Sequence, residues 1–81
     1  MWFVYILECR NKAFYTGMTN DLERRFKEHS RKSSRYTSYN PPVKIMHTEP
    51  CVSRSEALKR EAEIKRWKRG KKLALIRGDL D

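Results

Sequence analysis

Residues 2–9, WFVYILEC, form an almost unbroken apolar and aromatic run of the side chains that suit a pleated surface. A run with so little alternation predicts a strand covered on both faces, and therefore a central one. Arg10, Asn11 and Lys12 make a turn, and residues 13–19 read as a returning strand, so the two form a hairpin. Asn20 follows as an N-cap with Glu23 at capping-box spacing, opening a helix that runs to about residue 30. Residues 31–42 are basic, rich in serine and closed by two prolines, which predicts a loop. Residues 43–49 alternate, with Val43, Ile45 and His47 on one side, and predict a third strand at a sheet edge. Ser53 and Glu56 repeat the capping-box spacing and open a second helix through about Trp67. Gly70 punctuates it, and residues 71–77 form a short last helix contributing Leu73, Leu75 and Ile76. The order β-β-α-β-α-α predicts one α+β domain over residues 1–81, a three-stranded antiparallel sheet flanked by helices.

Certain polar residues fall where this pattern leaves no room for them. At about 100° per residue, Ala57, Leu58, Ala62 and Ile64 share one arc of the second helix, and Glu61 and Lys65 project into its middle. A carboxylate on a core-facing stripe is costly unless it is paired, hydrogen-bonded or holding a metal. Glu63 and Arg60 point away from that arc. The plain alternative for Glu61 and Lys65, at i and i+4, is an ordinary ion pair at the edge of the stripe. In the first helix Leu22 and Phe26 make the apolar stripe, and Arg25 and His29 sit one turn apart beside it. Two helices with polar pairs at their buried margins imply a shared polar pocket. Arginine can grip a phosphate oxygen in a forked geometry, and glutamate can coordinate Mg²⁺. Tyr5 and Tyr15 are core aromatics on the simplest reading, but a phenol beside a metal can also orient a water.

Charge changes the picture more than size does. Nineteen Lys and Arg against ten Asp and Glu give a net charge of +9 in 81 residues, with a pI near 9.9. Such an excess favours a polyanionic partner through attraction to phosphates and release of their counterions. A hydrophobic content of 38% excludes wholesale disorder. Cys9 and Cys51 form no CxxC pair, and with His29 and His47 their spacings fit no zinc-finger pattern. The apolar run at residues 2–7 is too short to span a bilayer, and no basic n-region precedes it. The expectation is a cytoplasmic protein with reduced thiols and no membrane association.

Val4-Tyr5-Ile6, followed by Tyr15-Thr16-Gly17, resembles the two tripeptides that name the GIY-YIG endonuclease family. The likeness continues through residues 19–26, TNDLERRF, similar to the family's strand-to-helix segment ending in its essential arginine. His29 falls where many members carry a histidine, and residues 57–61, ALKRE, resemble the helix bearing the metal-binding glutamate. The likeness covers nearly the whole chain and is nearest to the short members made of this domain alone. It departs at Val4, where the family has glycine, and at Thr16, where it has isoleucine. Both are β-branched residues at strand positions.

The resemblance implies hydrolysis of phosphodiester bonds with one divalent metal ion, Mg²⁺ or Mn²⁺. Glu61 would hold the metal and Arg25 would stabilise charge on the scissile phosphate. Tyr5 would act as general base or water-orienting group, Tyr15 would hydrogen-bond in the same pocket, and His29 would contact phosphate or relay a proton. Gly17 would let the backbone approach closely. Both tyrosines must then share one face of the hairpin, which requires an odd number of turn residues or a bulge. Arg31, Lys32, Arg35 and Tyr36, with Lys65, Arg66, Lys68, Arg69, Lys71 and Lys72, offer a basic surface for nucleic acid. DNA is expected before RNA, cut with low sequence specificity by a monomer or weak homodimer that recognises DNA structure and serves repair or recombination. The alternative is a nucleic-acid-binding module that does not cut, or cuts only with a partner.

Overall fold

The computed structural model describes residues 1–30 and 42–79. Its elements are β1 (Trp2–Cys9), β2 (Phe14–Thr19), α1 (Leu22–Ser30), β3 (Pro42–Cys51), α2 (Arg54–Lys65) and α3 (Arg69–Arg77). The strands form one antiparallel sheet in the order β2-β1-β3, so the apolar run is the central strand, as its lack of alternation requires. Among the described residues no helix is long and apolar enough to cross a membrane.

The hairpin turn decides which residues share a face. Lys12 N–H donates to the Cys9 carbonyl at 2.9 Å, and Cys9 N–H donates to the Ala13 carbonyl at 2.8 Å. Lys12 itself is left-handed, with φ 74°. This is the three-residue loop in which a turn is followed by a left-handed residue, and its twist matches the strands it joins. Three is odd, so the register places Tyr5 opposite Gly17 and Leu7 opposite Tyr15, all four on one face. The other face carries Val4 and Ile6.

That second face holds the core. Val4 and Ile6 pack with Ala57 and Ile64 of α2, all fully buried, and Met18, Met46, Trp67, Leu75 and Ile76 close around them. The α2 N-terminus forms as its sequence predicts. Ser53 Oγ accepts from Glu56 N–H at 3.2 Å, and the Glu56 carboxylate accepts from Val52 N–H at 2.9 Å. At the far end of α3, Gly78 adopts φ 79°, and the Asp79 N–H reaches back to the Ala74 carbonyl.

Several boundaries differ from those the sequence predicts. The side-chain cap of α1 comes from Asp21, whose Oδ1 accepts from Arg24 N–H at 3.1 Å, one residue after the expected Asn20. Helix α2 ends at Lys65, and Gly70 lies inside the first turn of α3. In β3 the register slips between Ile6 and Leu7, so His47 pairs with Ile6 while Ile45 pairs with Leu7. Ile45 and His47 therefore lie on opposite faces, because the bulge inserts Met46 between them.

Candidate active site

Tyr5 brings a buried phenol to the open face of the sheet, with 2% of the residue exposed. Its hydroxyl can lie against β2 only because residue 17 has no side chain. A Cβ at Gly17 would sit 2.4 Å from the Tyr5 hydroxyl oxygen and 2.6 Å from Cζ. Tyr15, one position diagonal on the same face, tilts its ring 35° to that of Tyr5 with centroids 6.5 Å apart. Helix α1 crosses this face and supplies Arg25, whose Nε donates to the Tyr5 hydroxyl at 3.4 Å. Leu7, Leu22, Phe26 and Ile45 wall the small hollow where these groups meet.

Burial pushes the Tyr5 phenol above its ordinary 10.0, and the hydrogen bond and charge of Arg25 only partly offset that. Tyr5 is thus a neutral hydroxyl at pH 7. The charges of Tyr15 and Glu61 act on it in the same direction as burial, which puts Glu61 within electrostatic reach of the phenol. Arg25 is correspondingly held more firmly protonated, chiefly by its hydrogen bond to Tyr5.

Glu61 approaches from α2 with 18% of its side chain exposed, and its ion pair with Lys65 is a long 3.8 Å. The plain reading of an i, i+4 pair is therefore present, but it is a loose one that leaves carboxylate oxygen capacity for a hard cation. Lys72 of α3 stands half-buried nearby, its ammonium pushed down by burial and by the charge of Lys65. Among the described residues no cluster of three or more His, Cys, Asp or Glu could hold a metal ion. Of the sequence-predicted residues, Tyr5 and Arg25 line the hollow, Tyr15 and Gly17 lie against Tyr5, and Glu61 reaches the phenol by its charge without lining the hollow. The side chain of His29, and Arg31, Lys32, Arg35 and Tyr36, lie outside the described residues.

The remaining basic positions divide. Lys65, Arg66, Lys68 and Lys71 are exposed on the α2–α3 corner, Lys71 with its ammonium 4.3 Å from the Trp67 ring centroid. Arg69 is structural, since its guanidinium donates to the Lys12 carbonyl at 2.7 Å and lies 4.1 Å from the Phe14 ring centroid. It ties α3 to the hairpin turn.

Arg60 is the residue the sequence misplaces. It does not point away: its guanidinium forks onto Glu49 of β3 at 2.8 and 3.1 Å, and also pairs with Glu63. Its guanidinium carbon lies 5.1 Å from the Trp67 ring centroid, and His47 Nε2 meets the same Glu49 carboxylate at 2.9 Å. Burial would raise the Glu49 carboxyl, but Arg60 and His47 together hold it below its ordinary 4.5. The predicted arc fails for the same reason. Leu58 is 42% exposed and Ala62 is exposed, while Ala57 and Ile64 are buried with Arg60 and Glu61 on either side of them.

The family model of the GIY-YIG catalytic domain matches residues 1–74. A UPF0213 protein of Syntrophus aciditrophicus is 47% identical over 77 residues, which are 93% of this chain and 88% of that protein. One from Halobacterium salinarum is 43% identical over 94% of this chain and its own entire length. The solution NMR structure of a UPF0213 protein from Bacillus halodurans superposes with a TM-score of 0.60 at 41% identity, covering 94% of this chain and 83% of that one.

Proposed function

The chain belongs to the GIY-YIG catalytic-domain family, a family of nucleases, and from that premise we propose that it is a divalent-metal-dependent endonuclease acting on DNA with little sequence preference. The observation that supports this most is the Tyr5 hydroxyl held by Arg25, with the Tyr15 ring tilted against the Tyr5 ring and Glu61 in electrostatic reach. In hydrolysis, water oxygen bonds to phosphorus, one phosphorus–oxygen ester bond breaks, and the leaving sugar oxygen takes up a proton. Arg25 binds the nonbridging oxygens and offsets the charge that accumulates on them. Tyr5, kept neutral by burial, orients the attacking water by hydrogen bonding and does not act as a ready-made base. Tyr15 fixes the Tyr5 ring from the diagonal position. Glu61 would hold Mg²⁺ or Mn²⁺ by a carboxylate oxygen, and that ion would supply Lewis-acid chemistry at the phosphate.

The exposed cations of the α2–α3 corner, Lys65 beside Glu61 among them, together with Lys72, would carry the neighbouring backbone phosphates. Such contacts read charge and shape, which suits recognition of DNA structure over sequence. The test is a panel of labelled single-stranded, duplex and branched DNAs and RNAs, incubated with Mg²⁺, Mn²⁺ or EDTA. Cutting that needs the metal and disappears in Glu61→Ala is the expected outcome. Equal binding by both proteins with no cutting by either would replace the nuclease with a binding module.

A further inference from the structure

Helix α2 has little apolar surface with which to choose its rotation about its own axis. Of its residues only Ala57 and Ile64 are buried, and an alanine gives shallow purchase. A polar contact runs along one flank of that narrow face. Arg60 lies on the β3 flank of that narrow buried face and forks onto Glu49 through two separate nitrogen–oxygen contacts, Nε to Oε1 and Nη2 to Oε2. A planar fork meeting a planar carboxylate constrains direction as well as distance. The carboxylate is itself held, since His47 approaches Oε2 from the same strand. The Trp67 ring packs under the guanidinium from the turn that ends α2. Glu61 is the next residue, turned about 100° from Arg60, and so lies on the opposite flank of the buried face. Any roll of α2 that opened the Arg60 fork would swing Glu61 relative to Tyr5.

We propose that the Arg60–Glu49 fork is the positioning device for the site, setting the roll of α2 and so aiming the Glu61 carboxylate at the Tyr5–Arg25 hollow. Arg60 and Glu49 act through Glu61 and touch no substrate. The proposal rests on the nuclease reading only for its catalytic consequence, because the aim of α2 is a property of the metal-free protein.

The experiment therefore has two readouts. Backbone residual dipolar couplings of wild type, Glu49→Gln, Arg60→Lys and the control Glu63→Gln report the orientation and roll of α2 against the sheet. Glu49→Gln keeps the shape of the acceptor and removes its charge, while Arg60→Lys keeps the charge and removes the fork. Couplings from β1 and β2 establish that each variant is folded. The expected result is an altered α2 in Glu49→Gln and Arg60→Lys, with the sheet couplings and Glu63→Gln unchanged. Broadening of the Tyr5 and Gly17 amide signals by Mn²⁺, and kcat on the DNA that wild type cuts, should both fall about 10-fold with KM for DNA preserved. An α2 that keeps its roll in both variants would overturn the proposal, whether or not the protein cuts. An altered α2 in a protein that never cuts would leave the positioning role standing and remove the nuclease reading.

Discussion

On the β3 flank of α2, Arg60 meets Glu49 at 2.8 and 3.1 Å, with His47 at 2.9 Å and Glu63 completing a closed set of charges. On the other flank, Glu61 meets Lys65 at 3.8 Å, and beyond it Arg25 reaches the Tyr5 hydroxyl at 3.4 Å. Both regions hold half-buried charge, and the contact lengths separate their uses. Short, mutually reinforcing contacts engage most of the bonding capacity of Arg60 and Glu49 and contribute to stability. Long contacts leave the carboxylate and guanidinium able to turn to an incoming phosphate and cation, at some expense of stability. On the proposed function, the fork is architecture and the loose set is where the chemistry would occur.

The largest effect expected from disturbing this contrast is at the loose set. Arg25→Ala should lower kcat by about 10²–10³-fold, by removing a charge-stabilising donor, while the thermal midpoint moves little. Gly17→Ala should cost about 10²-fold in rate, because the new Cβ displaces the Tyr5 hydroxyl by more than the site tolerates; single-turnover kinetics on both variants checks this. At the fork the effect should appear in stability. Glu49→Gln should lose about 1–2 kcal/mol, measured by urea unfolding near pH 7. Since Glu49 is held below its ordinary 4.5 in the folded protein, its contribution is present above about that pH and is lost as pH falls below it. The gap between wild type and Glu49→Gln should therefore close as the pH is lowered through that range. The smallest effect lies in the core. Thr16 is 3% exposed and its hydroxyl has no hydrogen-bond partner among the described residues, so Thr16→Val should stabilise by about 1 kcal/mol, seen as a higher thermal midpoint.

Much of the candidate site's geometry was legible because its residues sit on strongly patterned elements. The apolar run identified β1, and the requirement that Tyr5 and Tyr15 share a face reduced to the parity of a three-residue turn. No feature of Lys12 announces its positive φ, which is set by strand pairing. Alternation in β3 failed at Met46 because a bulge depends on the partner strand, and the sequence of one strand does not contain its register. Asp21 displaced Asn20 as the cap since both are capping types and the nearby Glu23 favours the wrong one. Arg60 was misplaced because the arc was drawn through Leu58 and Ala62, which prove exposed. Its partner Glu49 lies eleven residues away on another element, with no local signal linking them. What stayed hidden was long-range and electrostatic.

The central claim is that Glu61 serves chemistry and Glu49 serves the fold, and Glu61→Gln tests it most directly. Its metal-dependent cleavage and its thermal midpoint should be measured on the same preparation as wild type. Cleavage should vanish while stability stays within about 0.5 kcal/mol of wild type, since a loose ion pair with an exposed lysine is worth no more. Cleavage that survives the substitution, or a midpoint that collapses with it, would contradict the account and make Glu61 one more structural charge.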